Sequence, residues 1–299
     1  MMESRVIDTF LGAFLNLMFP LKMLLRLYSF CILMIDIAWV VVNAVCAVFQ
    51  AGYELFRPPP MKSLKRENAL VIGSGRGVGR ELAIQLADLG AIVLCVDQNK
   101  VNNEETVECI KRRGGTAYLY TCDITKKENV QKLAAQVKKD LGFVGMLFYC
   151  CGIPNHFLPE MKAKNHGHII ALTSVAGLSY IKNQMPLSVA QFAVQGLAES
   201  LMEDLRVNKI DGVHVTLTHI YPFIVSEDMP DLVRLRIPSY FGTITPVEAA
   251  RSILESVRRN FPEASVPKHL LCLGHLLRVL PRKATVLIRD LLDTGVDFA

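Results

Sequence analysis

A glycine-rich loop between an apolar run and a helical pattern constrains this sequence most. Residues 68–72 (NALVI) form a short apolar run that stops at glycine, as a buried parallel strand does. Gly73, Gly77 and Gly79 follow, and residues 80–89 then carry apolar side chains at helical spacing. A strand, a glycine loop and a helix in this order place bare backbone and a helix N-terminus where a pyrophosphate binds. Glycines alone also mark turns, but the context on both sides predicts a dinucleotide site.

An acidic residue at the end of the next strand indicates which dinucleotide is expected. Residues 91–96 predict a second strand, and Asp97 follows it, 18 residues after Gly79. A carboxylate there accepts hydrogen bonds from ribose hydroxyls and repels a 2′-phosphate, which favours NAD over NADP. Arg76 in the loop is a counter-signal, because a basic side chain there can meet a 2′-phosphate. The alternative for Asp97 is a helix cap or a turn acid.

The rest of the chain alternates between strand and helix patterns. An α/β fold with a Rossmann-like, doubly wound parallel sheet is therefore predicted. The further strands are expected at 117–121, 145–151, 168–172 and 213–218, with helices at 126–141, 188–207 and 246–259.

The first fifty residues carry most of the excess hydrophobicity behind the mean hydropathy of +0.31. Residues 27–49 form an apolar run long enough to cross a hydrocarbon core of about 30 Å as a helix. Asp36 is its only charge and costs about 2.5–3.5 kcal/mol at mid-membrane if ionised, which favours a shallow hairpin. A shorter apolar run at 10–21 either lies in the interface or forms half of such a hairpin. An N-terminal membrane-anchoring helix or hairpin is therefore expected, with membrane lipid as its partner.

Three segments are predicted along the chain. Residues 1–55 form the hydrophobic anchor, 56–66 a Pro-rich basic linker, and 67–299 the Rossmann domain, with apolar C-terminal helices from about 267. The basic residues of the linker are expected to keep the domain on the cytosolic side.

Composition argues against two other classes of protein. The net charge is +5, but no basic stripe interleaved with aromatic residues is present, so no nucleic acid is expected as a partner. The eight cysteines lack zinc spacing and are expected to be free thiols. His269 and His275 are six residues apart with no carboxylate beside them in sequence, so no metal site is expected.

Several motifs appear together in one order. They are the G-x3-G-x-G spacing, the Asp123-Ile124 pair, Gly152 after the fourth strand and residues 173–177 (TSVAG) after the fifth. This pattern resembles the short-chain dehydrogenase/reductase superfamily. The Pro-rich linker, residues 103–106 (NEET) and residues 165–170 (NHGHII) are similar to its membrane-associated branch, which contains epidermal retinol dehydrogenases and 17-beta-hydroxysteroid dehydrogenase type 11.

The resemblance implies an NAD(P)-dependent oxidoreductase of retinoids, sterols or other lipid alcohols on the endoplasmic reticulum membrane or lipid droplets. A hydrophobic small molecule is then the expected ligand. The cofactor-binding residues it implies are Gly73, Arg76, Gly77, Val78, Gly79, Asp97, Asp123 and Gly152.

The catalytic residues are where the sequence departs from this family. Ser174 fits the serine that holds the substrate oxygen. The tyrosine and lysine that such enzymes place 13 and 17 residues later are replaced by Leu187 and Gln191. Tyr180 with Lys182 has Y-x-K spacing, which does not put both groups on one helical face. A catalytically impaired or inactive protein that still binds NAD(H) is expected; the alternative is an active enzyme with a rearranged site.

A short connection follows the fourth strand. Only 15 residues separate Gly152 from His168, barely enough for a crossover with a two-turn helix. Relatives of this type carry roughly thirty more residues here, including much of a helix that pairs subunits. A homo- or heterodimer is still a possible assembly, but the short segment after Gly152 makes it a weaker expectation. The short connection can come from a genuine loss, from alternative splicing or from an imperfect gene model.

Overall fold

The computed structural model describes residues 2–149, 154–178, 185–221 and 244–291. The chain divides into two compact units, residues 1–59 and 60–299, with the division inside the Pro58–Pro60 triplet. Each unit is described separately below.

The first unit is one unbroken helix, α1 (Met2–Phe56). The two apolar runs therefore belong to the same helix, and the hairpin alternative does not match the backbone. Its segment Leu27–Glu54 is 28 residues long, and an 18-residue window within it has a mean hydropathy of 2.4, which suits a membrane span by length and composition. Asp36 lies within this helix, and no break accommodates its charge.

In its described residues the second unit is built on seven parallel strands in the order β3-β2-β1-β4-β5-β6-β7. The strands are β1 (Asn68–Ile72), β2 (Ile92–Asp97), β3 (Thr116–Thr121), β4 (Met146–Tyr149), β5 (Gly167–Ser174), β6 (Val213–Ile220) and β7 (Glu263–Val266). The chain reverses its direction of growth between β1 and β4, which is the switch point where ligands bind in doubly wound sheets. The predicted fold class is confirmed.

Helices cover both faces of the sheet. They are α2 (Gly77–Asp88), α3 (Lys100–Arg112), α4 (Lys127–Leu141), α5 (Pro154–Lys164), α6 (Met185–Val207), α7 (Pro246–Arg258), α8 (Leu270–Val279) and α9 (Arg282–Leu291). One apolar cluster lies between the sheet and α2, α3 and α7, and a second lies between the sheet and α4, α5 and α6. Helix α3 and strand β7 were not predicted from the sequence, whereas α8 and α9 lie where apolar C-terminal helices were expected. The described part of the predicted fourth strand is Met146–Tyr149, and its predicted end at residues 150–151 lies outside the described residues.

The linker is fastened to the domain by Lys62. Its backbone N–H donates to Arg258 O at 2.8 Å, and the Arg258 Nε–H donates to Lys62 O at 3.1 Å. Its Nζ lies 2.7 Å from Nδ1 of His168 at the start of β5. Burial lowers the pKa of Lys62 to about 8, although the Glu67 carboxylate opposes this.

The hydrogen bonds around His168 fix its tautomer. The Thr216 hydroxyl donates to Phe261 O at 2.7 Å, so it accepts from Nε2–H of His168 at 2.8 Å. Nδ1 is therefore the acceptor that faces Lys62, and the imidazole is neutral. Burial, with the nearby charges of Lys62 and His214, holds the pKa of His168 well below its usual value.

We expect His168 to make the protein less stable in mild acid. The folded state keeps this imidazole neutral, whereas the unfolded chain takes up a proton below about pH 6.5, so stability falls as pH drops through that value. The slope per proton is about 1.4 kcal/mol per pH unit. Urea unfolding at several pH values measures it. The matched variant His168→Gln keeps a donor and an acceptor but does not titrate, so its slope should be smaller; equal slopes would contradict this assignment.

Candidate functional site

The glycine loop connects β1 to α2 in a conformation that side chains would block. Gly73 has φ +81° and Gly77 has φ +57°, both in the left-handed region. A Cβ on Gly79 would lie 2.0 Å from the carbonyl oxygen of Gly73, so only glycine fits there. Helix α2 then begins at Gly77, and its N-cap residue Arg76 makes no side-chain capping hydrogen bond. The helix N-terminus is left in the form that binds a phosphate.

A buried hydrogen-bond network connects the glycine loop to α3, β2 and β3. The Ser74 hydroxyl donates to Asn103 Oδ1 at 2.7 Å, and Thr106 Oγ1 donates to Ser74 O at 3.0 Å. The Asn103 amide donates in turn to Cys95 O at 3.0 Å and Tyr120 O at 3.1 Å. Residues 103–106 carried the family resemblance in sequence, but no role followed from them. The structure shows that Asn103 and Thr106 of α3 hold the loop against β2 and β3.

Asp97 at the end of β2 lies beside the loop, as predicted. Its Oδ2 accepts from the Gly75 N–H at 2.9 Å, and its Oδ1 accepts from the Asn99 N–H at 2.8 Å. Each carboxylate oxygen has two acceptor sites, so this leaves capacity for two further donors such as ribose hydroxyls. Asp97 thus has the turn role that was given as the alternative from the sequence, and its free acceptor sites are compatible with the expected contact to a ribose. Arg76 is exposed.

Asp123 follows β3, the strand next to β2 in the sheet. Its Oδ1 accepts from the Thr125 hydroxyl at 2.6 Å and from the Thr125 N–H at 3.0 Å. These hydrogen bonds lower the pKa of Asp123. The carboxylate is therefore ionised and stands at the same edge of the sheet as the glycine loop.

Gln191 binds directly to the backbone that carries Ser174. Its Oε1 accepts from the Ser174 N–H at 3.0 Å and from the Thr173 hydroxyl at 2.8 Å. Leu187 lies one turn earlier on α6 and is half-buried. The Ser174 hydroxyl accepts from the Ala176 N–H at 3.1 Å. The structure thus brings Gln191 next to Ser174 and places Leu187 one turn earlier on the same helix, and Gln191 ties α6 to the end of β5.

This arrangement lacks a proton donor and a cation at the two substituted positions. Leucine has no exchangeable proton, and glutamine carries no charge that could lower the pKa of a neighbouring hydroxyl. Tyr221 follows β6 at the same edge, but its hydroxyl donates to Leu270 O at 3.0 Å. Burial and the Glu263 charge raise the pKa of Tyr221 to about 12, away from a catalytic phenolate. Gly152, Tyr180 and Lys182 lie outside the described residues.

The C-terminal histidines also differ from their sequence interpretation. No carboxylate adjoins His275 in sequence, yet Glu263 of β7 lies 2.9 Å from its Nε2. The other oxygen of Glu263 lies 2.8 Å from Nε2 of His219, which is completely buried. Burial alone would raise the pKa of Glu263, but the two histidines lower it. Among the described residues no group of three side chains could hold a metal ion.

We expect Gln191→Ala to destabilise the domain by about 1–3 kcal/mol, because it leaves the Ser174 N–H and the Thr173 hydroxyl without this acceptor. Chemical unfolding measures the change. Gln131→Ala, at an exposed position of helix α4, is the matched control and should change stability by less than about 0.5 kcal/mol. Equal effects of the two substitutions would show that the Gln191 contacts contribute nothing.

Comparison with known proteins gives the same fold and branch. The sequence model of the short chain dehydrogenase family matches residues 67–156 and 154–234. The two blocks meet at the short connection after β4. A structure of a Burkholderia phymatum short chain dehydrogenase/reductase in complex with NAD superposes with a TM-score of 0.63 at 19% identity, over 80% of this chain and 99% of that one. A metagenomic short-chain oxidoreductase in complex with NADP gives 0.56 at 21% identity, over 68% and 97%.

Human epidermal retinol dehydrogenase 2 is 33% identical over 264 aligned residues, which cover 79% of this chain and 85% of that protein. Since 79% of 299 residues is about 236, roughly 28 aligned positions of the relative have no counterpart here. That number is similar to the roughly thirty residues that relatives of this type are expected to carry after the fourth strand. The chain belongs to the short-chain dehydrogenase/reductase superfamily and is a retinol dehydrogenase-like member of it.

Proposed function

We propose that this protein is a membrane-anchored, retinol dehydrogenase-like chain that binds NAD(H) but transfers hydride poorly or not at all. The observation that carries the proposal is the contact of Gln191 with Ser174 and Thr173. The position where relatives of this type are expected to hold a lysine is occupied by a neutral side chain engaged in a structural contact.

The loop supports nucleotide binding. Gly73 and Gly77 leave bare backbone for a pyrophosphate at the start of α2, and Gly79 lets the helix approach the Gly73 carbonyl. The nicotinamide ring of such a cofactor supplies or accepts a hydride when bound. The residues proposed to hold the cofactor are those of the loop with Asp97 and Asp123, and Gly152 is included on sequence grounds alone.

Asp97 supports NAD over NADP. Its carboxylate is held at the loop by two backbone N–H groups, so it cannot swing away from a 2′-phosphate without giving up both hydrogen bonds. Arg76 is exposed in the same loop and is the residue through which NADP could still bind. Of the two similar structures described above, one is an NAD complex and the other an NADP complex, so they do not indicate which cofactor this chain prefers.

The loss of Tyr and Lys supports impaired chemistry. General acid–base catalysis contributes a factor of about 10²–10⁴ in rate, and Leu187 removes the group that would supply it. Ser174 remains to contact a substrate oxygen, but neither Leu187 nor Gln191 can accept its proton.

The competing function is an active oxidoreductase of lipid alcohols or ketones that uses a rearranged site. The names of the relatives favour it, since human epidermal retinol dehydrogenase 2 is named for retinol oxidation. The apolar helix α1 supports membrane association. The finer proposal, the endoplasmic reticulum membrane or lipid droplets with the domain facing the cytosol, rests on the sequence resemblance to the membrane-associated branch.

We expect the purified full-length protein to enhance NADH fluorescence on titration, with NADPH at least about tenfold weaker, equivalent to 1.4 kcal/mol. Gly79→Val should abolish the enhancement, because its side chain would clash with Gly73 O. Gly196→Val is the matched control, since a Cβ there meets nothing within 4 Å. Equal binding by Gly79→Val and the control would overturn the loop assignment.

We expect the wild-type protein to show no turnover of retinol or a sterol with NAD above background. Leu187→Tyr combined with Gln191→Lys restores the missing pair and should raise any hydride transfer. Wild-type turnover that is lost in Ser174→Ala would overturn the impaired-enzyme proposal. Wild-type turnover that survives Ser174→Ala would overturn both that proposal and the assignment of Ser174.

A further inference from the structure

Helices α8 and α9 form a cationic segment with an apolar outer face. From residue 267 to residue 289 the chain contains five Lys or Arg residues and no Asp or Glu. Lys268 is paired with Glu255. Arg278, Arg282 and Lys283 are exposed at the end of α8 and the start of α9.

One side of α8 is held against the sheet. Leu270 is buried, and its carbonyl accepts the Tyr221 hydroxyl. Gly274 packs so closely that a Cβ there would lie 2.8 Å from Leu178 Cδ1. His275 is bound to Glu263 of β7. These contacts place α8 beside the segment that follows Ser174. The inner face of α8 therefore packs against the domain.

The other side of α8 presents large apolar side chains. Leu276 is 53% exposed and Val279 is 83% exposed. On α9, Leu287 is 72% exposed. The Thr285 hydroxyl donates to Leu277 O at 2.9 Å, which ties α9 to α8. The two helices therefore present apolar side chains close to exposed cations.

We propose that the outer face of α8 and α9 docks on an anionic phospholipid bilayer. Exposed leucine and valine next to arginine and lysine is the composition of helices that lie in the membrane interface. The positive charge of this face favours anionic lipid over a second copy of the chain. A second copy meeting this face about a twofold axis would bring the same cations against themselves, whereas anionic lipid headgroups complement them.

This docking would set the position of the candidate site relative to lipid. Leu178, four residues after Ser174, packs directly on α8. The carboxyl edge of the sheet near Ser174 would then lie next to the bilayer, and a hydrophobic ligand could enter from the lipid phase. The entry route rests on the proposed function; the docking itself does not.

Tryptophan quenching in vesicles tests the docking with the full-length chain. The sequence has one tryptophan, Trp39, so Trp39→Phe gives a background without it. Val279→Trp then reports on α8. Val207→Trp at the end of α6 is the matched control, because Val207 is also an exposed helical valine, at 62%. Each variant is placed in vesicles of phosphatidylserine and acyl-brominated phosphatidylcholine, and flotation measures association with the vesicles.

The expected result is strong quenching of Val279→Trp by brominated lipid and little quenching of Val207→Trp. Arg282→Glu with Lys283→Glu should lower the docked-to-undocked ratio by about fivefold for each basic residue removed. Quenching of Val279→Trp by aqueous acrylamide instead would show a solvent-exposed face. Shielding from both quenchers would show a protein partner, such as a second copy.

Quenching by acrylamide, or shielding from both quenchers, overturns the docking. If the protein still floats with the vesicles, either result leaves the proposed anchor and the proposed nucleotide binding intact. A protein that does not float with the vesicles overturns both the docking and the anchor.

Discussion

The approach of Gly79 to the carbonyl oxygen of Gly73 is the constraint on which the candidate site depends. A Cβ at Gly79 would be 2.0 Å from that oxygen, so the chain can turn from β1 into α2 only with glycine there. The turn is then held from two sides, by the Asp97 carboxylate and by the buried Ser74–Asn103 hydrogen bond. A loop with this much support has a defined shape before any ligand arrives, and preorganisation of that kind lowers the cost of binding.

The two halves of the carboxyl edge have different chemistry. On the side of β1, β2 and β3, the glycine loop, Asp97 and Asp123 form a cradle suited to a nucleotide. On the side of β5 and α6, the side-chain oxygen of Gln191 accepts hydrogen bonds from the Ser174 N–H and the Thr173 hydroxyl. Among the described residues this half of the edge is therefore held together by a neutral side chain.

The sequence predicted the sheet and the loop because both are encoded locally. Apolar runs that stop at glycine or an acid mark parallel strands, and the loop signal is complete within residues 68–89. What it missed depends on distant residues. Lys62 meets His168, and His275 meets Glu263, only because the fold brings them together. The role of Asn103 was missed for the same reason, although its sequence context could have prompted a search for a partner in the loop.

One measurement tests the central claim, that the cradle holds a nucleotide which the chain cannot use. NADH is mixed rapidly with an excess of the full-length protein and a ketosteroid, and NADH fluorescence is followed through what would be one turnover. We expect an immediate enhancement that then persists, because the cofactor binds and no proton donor stands at Leu187 or Gln191. An enhancement that decays as the ketone is reduced would contradict the claim of impaired chemistry, and the absence of any enhancement would contradict the claim of a binding cradle.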